Sequence, residues 1–145
     1  QIEGTNFKCL SVTSDKLYRW GHTTCSLHSV PGFPSRSLLS FGGYGGSLRQ
    51  GRQNDLVLLT LDDSVVQSID AENPPTPRMG HTASLVGSKM VVTGGREDPS
   101  KPLGDVCVLM LDKMQWQYPQ MEGVFFPPRY FYLLSIVYNM NQKNL

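Results

Sequence analysis

Arg19-Trp20-Gly21-His22-Thr23 and Arg78-Met79-Gly80-His81-Thr82 are one pentapeptide written twice, and the segments downstream of the two copies also match. Phe41-Gly42-Gly43 is answered by Thr93-Gly94-Gly95, each after an apolar run. The Asp-flanked run from Asp55 to Asp62 is answered by the run from Asp105 to Asp112. A period near fifty residues, with a double glycine in each unit, is the pattern of a β-propeller blade, a small antiparallel sheet that covers its faces by stacking on its neighbours.

The three landmarks are displaced by 59, 52 and 50 residues (78−19, 94−42, 105−55), and the drift locates the loops. Paired strands resist insertion, because a slip of one residue turns every side chain to the other face, whereas surface connections tolerate it. The seven extra residues of the first copy therefore belong to the Pro-, Gly- and Ser-rich stretch 27–37, and the second copy closes the same link with the hairpin 86–89. Each unit then divides into four strands: 22–27 and 81–86, 38–41 and 90–93, 56–61 and 106–111, 65–69 and 115–118. The third strand of each unit is apolar at nearly every position, so it needs cover on both faces. Its short length, β-branched residues and flanking turns favour strand over helix. The expected fold is all-β: two four-stranded blades with partial flanking blades of an incomplete propeller. The divisions are 1–18 as the end of a preceding blade, 19–77 and 78–128 as blades, and 129–145 as the start of a truncated blade with a divergent tail.

The residues that define the repeat read as structural. Gly42, Gly43, Gly94 and Gly95 suit a crowded backbone where positive φ and the absence of Cβ are required. Arg19, His22, Arg78 and His81 stand where the first strand begins and are expected to bond loop carbonyls. Trp116 occupies the position that Val66 fills in the first unit, and both read as packing between blades.

Closed propellers have about four to eight blades, more than two units supply, so the chain reads as a fragment of a longer protein. The expected third copy of the pentapeptide has Tyr132 in place of histidine, and residues 130–138 form an apolar run too short to span a bilayer. Left as an unpaired edge it is an aggregation hazard, and the isolated chain is expected to be poorly soluble or partly unfolded. Thirteen basic and twelve acidic residues give a net charge of +1, so nothing in the charge demands nucleic acid. There is no signal-peptide pattern; neither DNA nor a membrane is expected as a partner. Three cysteines, Cys9, Cys25 and Cys107, odd in number and widely spaced, point to a reducing compartment and a cytoplasmic location.

Apparent chemical motifs do not survive geometry. His22, Cys25 and His28 have zinc-like spacing, but residues three apart on a strand face opposite sides, so no metal site is expected. Residues 42–46 have Leu48 where a dinucleotide loop needs its third glycine, and the chain lacks the Gly-Lys-Ser/Thr of a phosphate loop there. No catalytic residue and no cofactor site is expected in this chain. Recognition by the loops between second and third strands is the better prospect, and Tyr44, Arg49, Arg52, Arg96 and Lys101 are the candidate ligand-face residues.

The chain resembles kelch repeats through Leu39-Ser40-Phe41-Gly42-Gly43, Val91-Val92-Thr93-Gly94-Gly95, the Asp-flanked strands and Trp116. Arg19-Trp20-Gly21-His22-Thr23, the glycine-rich run 41–46, residues 51–56, Gly94-Gly95-Arg96 and Leu103-Gly104-Asp105-Val106 are similar to the kelch segment of tRNA wybutosine-synthesising proteins. That resemblance implies a parent transferase in which S-adenosylmethionine-dependent domains elaborate a guanosine beside the anticodon of phenylalanine tRNA. The cofactor belongs to those other domains. This chain would be their accessory propeller, with other blades or domains and phenylalanine tRNA as partners. The alternative is a protein-interaction adaptor, for example one that recognises substrates of a ubiquitin ligase.

Overall fold

The computed structural model describes residues 11–46, 50–120, 122 and 127–128. A 3₁₀ turn at Asp15–Leu17, opened by the Ser14 hydroxyl accepting from the Lys16 amide, leads into twelve strands among the described residues. They are β1 (Arg19–Trp20), β2 (Thr23–Ser26), β3 (Ser37–Phe41), β4 (Tyr44–Gly45), β5 (Gly51–Arg52) and β6 (Leu56–Thr60). Then come β7 (Val65–Ile69), β8 (Met79–Val86), β9 (Lys89–Asp98), β10 (Lys101–Pro102), β11 (Val106–Met110) and β12 (Gln115–Gln117).

Each unit of the repeat builds one antiparallel sheet in simple sequential order. β2-β3-β6-β7 forms the first and β8-β9-β11-β12 the second, with β10 added to the far end of β9. The apolar runs are strands: Leu56 pairs with Phe41 and Val106 with Thr93, the same place in the two units. Both third-to-fourth strand turns carry a residue at positive φ, Ser64 and Met114. The fold is all-β, as the period implies.

The units differ in continuity. In the second, β8 and β9 run unbroken past the double glycine, where Met79 pairs with Arg96. In the first, the matching pair Trp20 and Tyr44 falls in a separate three-stranded sheet, β1-β4-β5. The expected strand 90–93 is thus a ten-residue strand. Arg96 stands in β9, Tyr44 in β4, Arg52 in β5 and Lys101 in β10, so the expected ligand loops are hairpin strands at these positions. Backbone pairing continues there because Gln53 returns its N–H to Gly43 and Leu103 its N–H to Gly95, at 2.9 and 2.8 Å. Arg49 and residues 129–145 lie outside the described residues, as do Cys9 and most of 1–18.

The core lies between the two sheets. Cys25, Leu27, Leu39, Phe41, Leu56 and Leu58 from the first meet Met90, Val92, Cys107, Leu109, Leu111 and Trp116 from the second. The Phe41 ring sits 4.8 Å from Trp116 and 5.1 Å from His81 across the joint. Burying such side chains stabilises by about 1.5–3 kcal/mol each before entropy is counted. Cover on both faces is realised in β6, where Leu56, Val57 and Leu58 are all buried. In β11 only Cys107 and Leu109 are buried, while Val106, Val108 and Met110 are half-buried. Among the described residues, only one face of the second sheet has another sheet against it.

Candidate functional site

The repeat landmarks converge on one clamp per unit. Arg78, with no exposed surface, donates both Nη groups to the Asp105 carboxylate at 2.7 and 2.8 Å. Nη1 also reaches the Gly94 carbonyl at 3.2 Å, and Nε reaches the Thr76 carbonyl at 3.2 Å. Arg19 repeats this arrangement on Asp55, at 2.6 and 3.0 Å, with Gly42 O at 3.1 Å and Lys16 O at 2.6 Å. A planar guanidinium fits a carboxylate in two parallel bonds, so the start of the first strand, the double glycine and the start of the third are tied together. Burial opposes ionisation of Asp105, yet the Arg78 hydrogen bond and charge prevail and hold its pKa below the usual carboxylate range. The Cys107 thiol donates to the same carboxylate at 3.2 Å, and burial above all pushes its pKa up to about 12.

His81 serves the joint. Its Nε2 lies 2.8 Å from the Thr23 hydroxyl of the first sheet, while Phe41 meets the ring edge-on. The partner across the joint is thus a hydroxyl of the neighbouring sheet, and the Phe41 backbone also acts on the ring. Burial, and then the nearby Arg78 charge, lower the His81 pKa to about 4, so the ring is neutral at neutral pH. Gly42 and Gly95 have φ of 64° and 88°. A Cβ on Gly42 would come within 2.9 Å of the Arg78 carbonyl and of the His81 ring. The Gly43 N–H donates to the Arg78 carbonyl at 2.8 Å, and the Gly80 N–H to the Gly21 carbonyl at 2.8 Å. Trp116, 2% exposed, packs across the joint, while Val66 is half-buried. These groups hold the sheets together, and the clamp arginines spend their donors on the Asp carboxylates and nearby carbonyls.

The candidate ligand residues stand at the hairpin end of the sheets. Tyr44 is half-buried, its ring 5.8 Å from that of Trp20, and the Arg52 guanidinium lies 5.8 Å from the Tyr44 centroid. Lys101 pairs with Glu97 at 2.5 Å. The Ser100 hydroxyl and amide above all lower the Asp98 pKa, with the Arg52 charge a minor contributor. Arg52 and Arg96 each turn a shielded Nε into the protein. A shallow depression of about 340 Å³ opens beside this cluster, lined by Tyr18, Trp20, Tyr44 and Gln50 among others. Trp20 and Tyr18 are 55% and 62% exposed, and sequence reasoning passes over both as recognition residues. It also passes over Asp55 and Asp105 as clamp partners, although both open the Asp-flanked landmark.

The zinc-like trio is split: Cys25 is buried in the core while His22 and His28 are exposed. Among the described residues no group of three or more His, Cys, Asp or Glu is placed to hold a metal ion. No helix there is long and apolar enough to cross a membrane.

Comparison with known proteins agrees with this architecture. Residues 8–142 match the family model described as the KLHDC2/KLHL20/DRC7 Kelch-repeats domain. The chain is 37% identical over 116 residues to tRNA wybutosine-synthesizing protein 2/3/4 of Arabidopsis thaliana, covering 80% of this chain and 11% of that protein. It is 33% identical over 137 residues to the protein of that name from Oryza sativa subsp. japonica, covering 89% and 13%. Adagio protein 3 of Arabidopsis thaliana is 38% identical over 111 residues, covering 73% and 16%. The chain therefore spans only about an eighth of the wybutosine-synthesizing relatives. With its paired sheets, double glycines and Arg–Asp clamps, this chain belongs to the kelch-repeat family.

Proposed function

We propose that this chain is a non-catalytic stretch of kelch propeller that orients domains within a longer protein of the tRNA wybutosine-synthesising kind. One observation carries the reading: the repeat, its hairpins included, is 37% identical over 116 residues to a protein of that name. The geometry supports a scaffold, since the arginines, histidine and cysteine best placed for chemistry are committed to the clamps and the joint. Any S-adenosylmethionine chemistry would belong to other domains of such a protein.

The charges at the hairpin end favour contact with protein over a grip on RNA. Lys101 is matched by Glu97, and Asp98 lies within the field of Arg52, so a phosphate backbone would meet carboxylates among the cations. The test is binding of the longer protein to phenylalanine tRNA with Arg52, Arg96 and Lys101 changed together to glutamine. Unaltered affinity and salt slope are expected. A fall in slope approaching the number of cations removed would overturn the domain-orienting reading and make this end an RNA contact.

The same surface of mixed charge favours a second reading, a protein-interaction adaptor that presents Trp20 and Tyr44 to a partner. Neighbouring modules separate the two: a transferase domain supports the first, a BTB or F-box module the second.

A further inference from the structure

The link from the first sheet to the second ends in Pro74-Pro75-Thr76-Pro77-Arg78, and Thr76-Pro77 is the single Ser/Thr-Pro dipeptide of the 145 residues. Pro75 and Arg78 are buried, while Thr76 and Pro77 between them are exposed. The Asn54 side-chain amide donates to the Pro75 carbonyl at 2.8 Å, and the Arg78 N–H to the Gln53 carbonyl at 3.0 Å. The following proline disfavours helical backbone at Thr76, so its hydroxyl is presented on extended chain. Proline carries no N–H, so a groove without an acceptor at that position takes it and strands the donor of any other residue. An exposed, extended Thr-Pro therefore has the substrate chemistry of a proline-directed protein kinase.

The surroundings of the hydroxyl give its modification a consequence. Its oxygen accepts from Arg78 Nη2 at 3.3 Å, and the same Nη2 donates to Asp105 Oδ2 at 2.8 Å. Nε is on the Thr76 carbonyl, and Nη1 is shared by the Gly94 carbonyl and Asp105 Oδ1. Every N–H of this buried guanidinium is thus engaged. A phosphate on Thr76 adds a charge of about −2 and strong acceptor oxygens where one cation already answers one carboxylate. Arg19 and Arg129, the other copies of the arginine, have Leu17 and Pro127 at the matching place, so the hydroxyl is particular to this clamp.

We propose that Thr76 is a phosphorylation site for a proline-directed kinase, and that its phosphate competes with Asp105 for Arg78 and loosens the second clamp. Thr76 Oγ1 attacks the γ-phosphorus of ATP, and the new O–P bond forms as the bond from that phosphorus to the β,γ-bridging oxygen breaks. ADP leaves, and the hydroxyl proton passes to the general base of the kinase and on to solvent. Such control of the clamp goes beyond the proposed scaffold role and does not depend on the parent being a wybutosine-synthesising protein.

The full chain, checked for native circular dichroism, is incubated with a cyclin-dependent kinase and magnesium ATP and mapped by mass spectrometry. One phosphate is expected, on Thr76; Thr76→Val should take none, and Thr76→Ser should take one again. The phosphorylated chain should unfold about 3–6 °C lower. Hydrogen exchange should quicken at the Gly94 N–H, bonded to the Asp105 carbonyl, and not at the Gly42 N–H, bonded to the Asp55 carbonyl. In Asp105→Asn the phosphate is the stronger anion beside Arg78, and phosphorylation should raise the midpoint instead. A folded chain that takes no phosphate on Thr76, an unchanged midpoint, equal quickening at both glycines, or an equal fall in Asp105→Asn would each overturn the proposal.

Discussion

Arg78 shows why single residues recur in this repeat. Its guanidinium has no contact with solvent and its charge is answered by Asp105, whose side chain is 40% exposed. Removing the carboxylate would strand the cation, so Asp105→Ala is expected to destabilise by about 2–4 kcal/mol, the lower part reflecting the exposure of the partner. Urea unfolding measures this, and a loss under about 0.5 kcal/mol would contradict it. His81 sets a pH dependence. Its folded pKa of about 4 lies below the ordinary 6.5, so the unfolded chain binds more protons between those values. Its contribution to stability is therefore complete above pH 6.5 and falls away as the pH drops toward 4. The loss is about 3 kcal/mol at most. His81→Gln should flatten the slope of stability across that window, and an unchanged slope would assign it to other groups.

At the scale of elements, β12 contributes most through one side chain. Trp116 is buried against Phe41, yet its indole N–H is shielded without a partner. Trp116→Ala should cost about 3–5 kcal/mol through the cavity it leaves. Trp116→Phe should cost under about 1.5 kcal/mol, because it keeps a ring and removes an unsatisfied donor. Equal losses in thermal unfolding would show that the donor has a partner after all. The bend after β3 is held differently. At Gly42 a side chain meets backbone on one side and the His81 ring on the other, at a φ of 64°. Gly42→Ala should destabilise by about 1–3 kcal/mol, more than either contact alone suggests.

Among the described residues the two large sheets share one core, and their stability is a property of the joint. Phe41 belongs to the first sheet but packs on Trp116 and His81 of the second. Phe41→Ala should therefore lower the unfolding midpoint of both sheets together, read by hydrogen exchange at β6 and β11. Loss of protection confined to β6 would mean that the sheets are stable independently.

The repeat, the strand order and the positions of the double glycines are legible in the chain, because apolar period and turn chemistry are local signals. The third strands read as strands for that reason, and the insertion at 27–37 emerges from offsets alone. The Arg–Asp clamps are not legible, although both ends lie inside the repeated motifs: nothing in a linear pattern says which carboxylate a guanidinium meets 27 or 36 residues away. Nor does it show that Arg96, Tyr44, Arg52 and Lys101 stand on strands, since the hairpins β4–β5 and β9–β10 are extended by backbone pairing to which side-chain period is blind. Thr23 as the partner of His81 was decided only when the sheets stacked. The sequence by itself determined what each unit is; the tertiary structure decided which faces meet, because that depends on burial across a joint between residues distant in the chain.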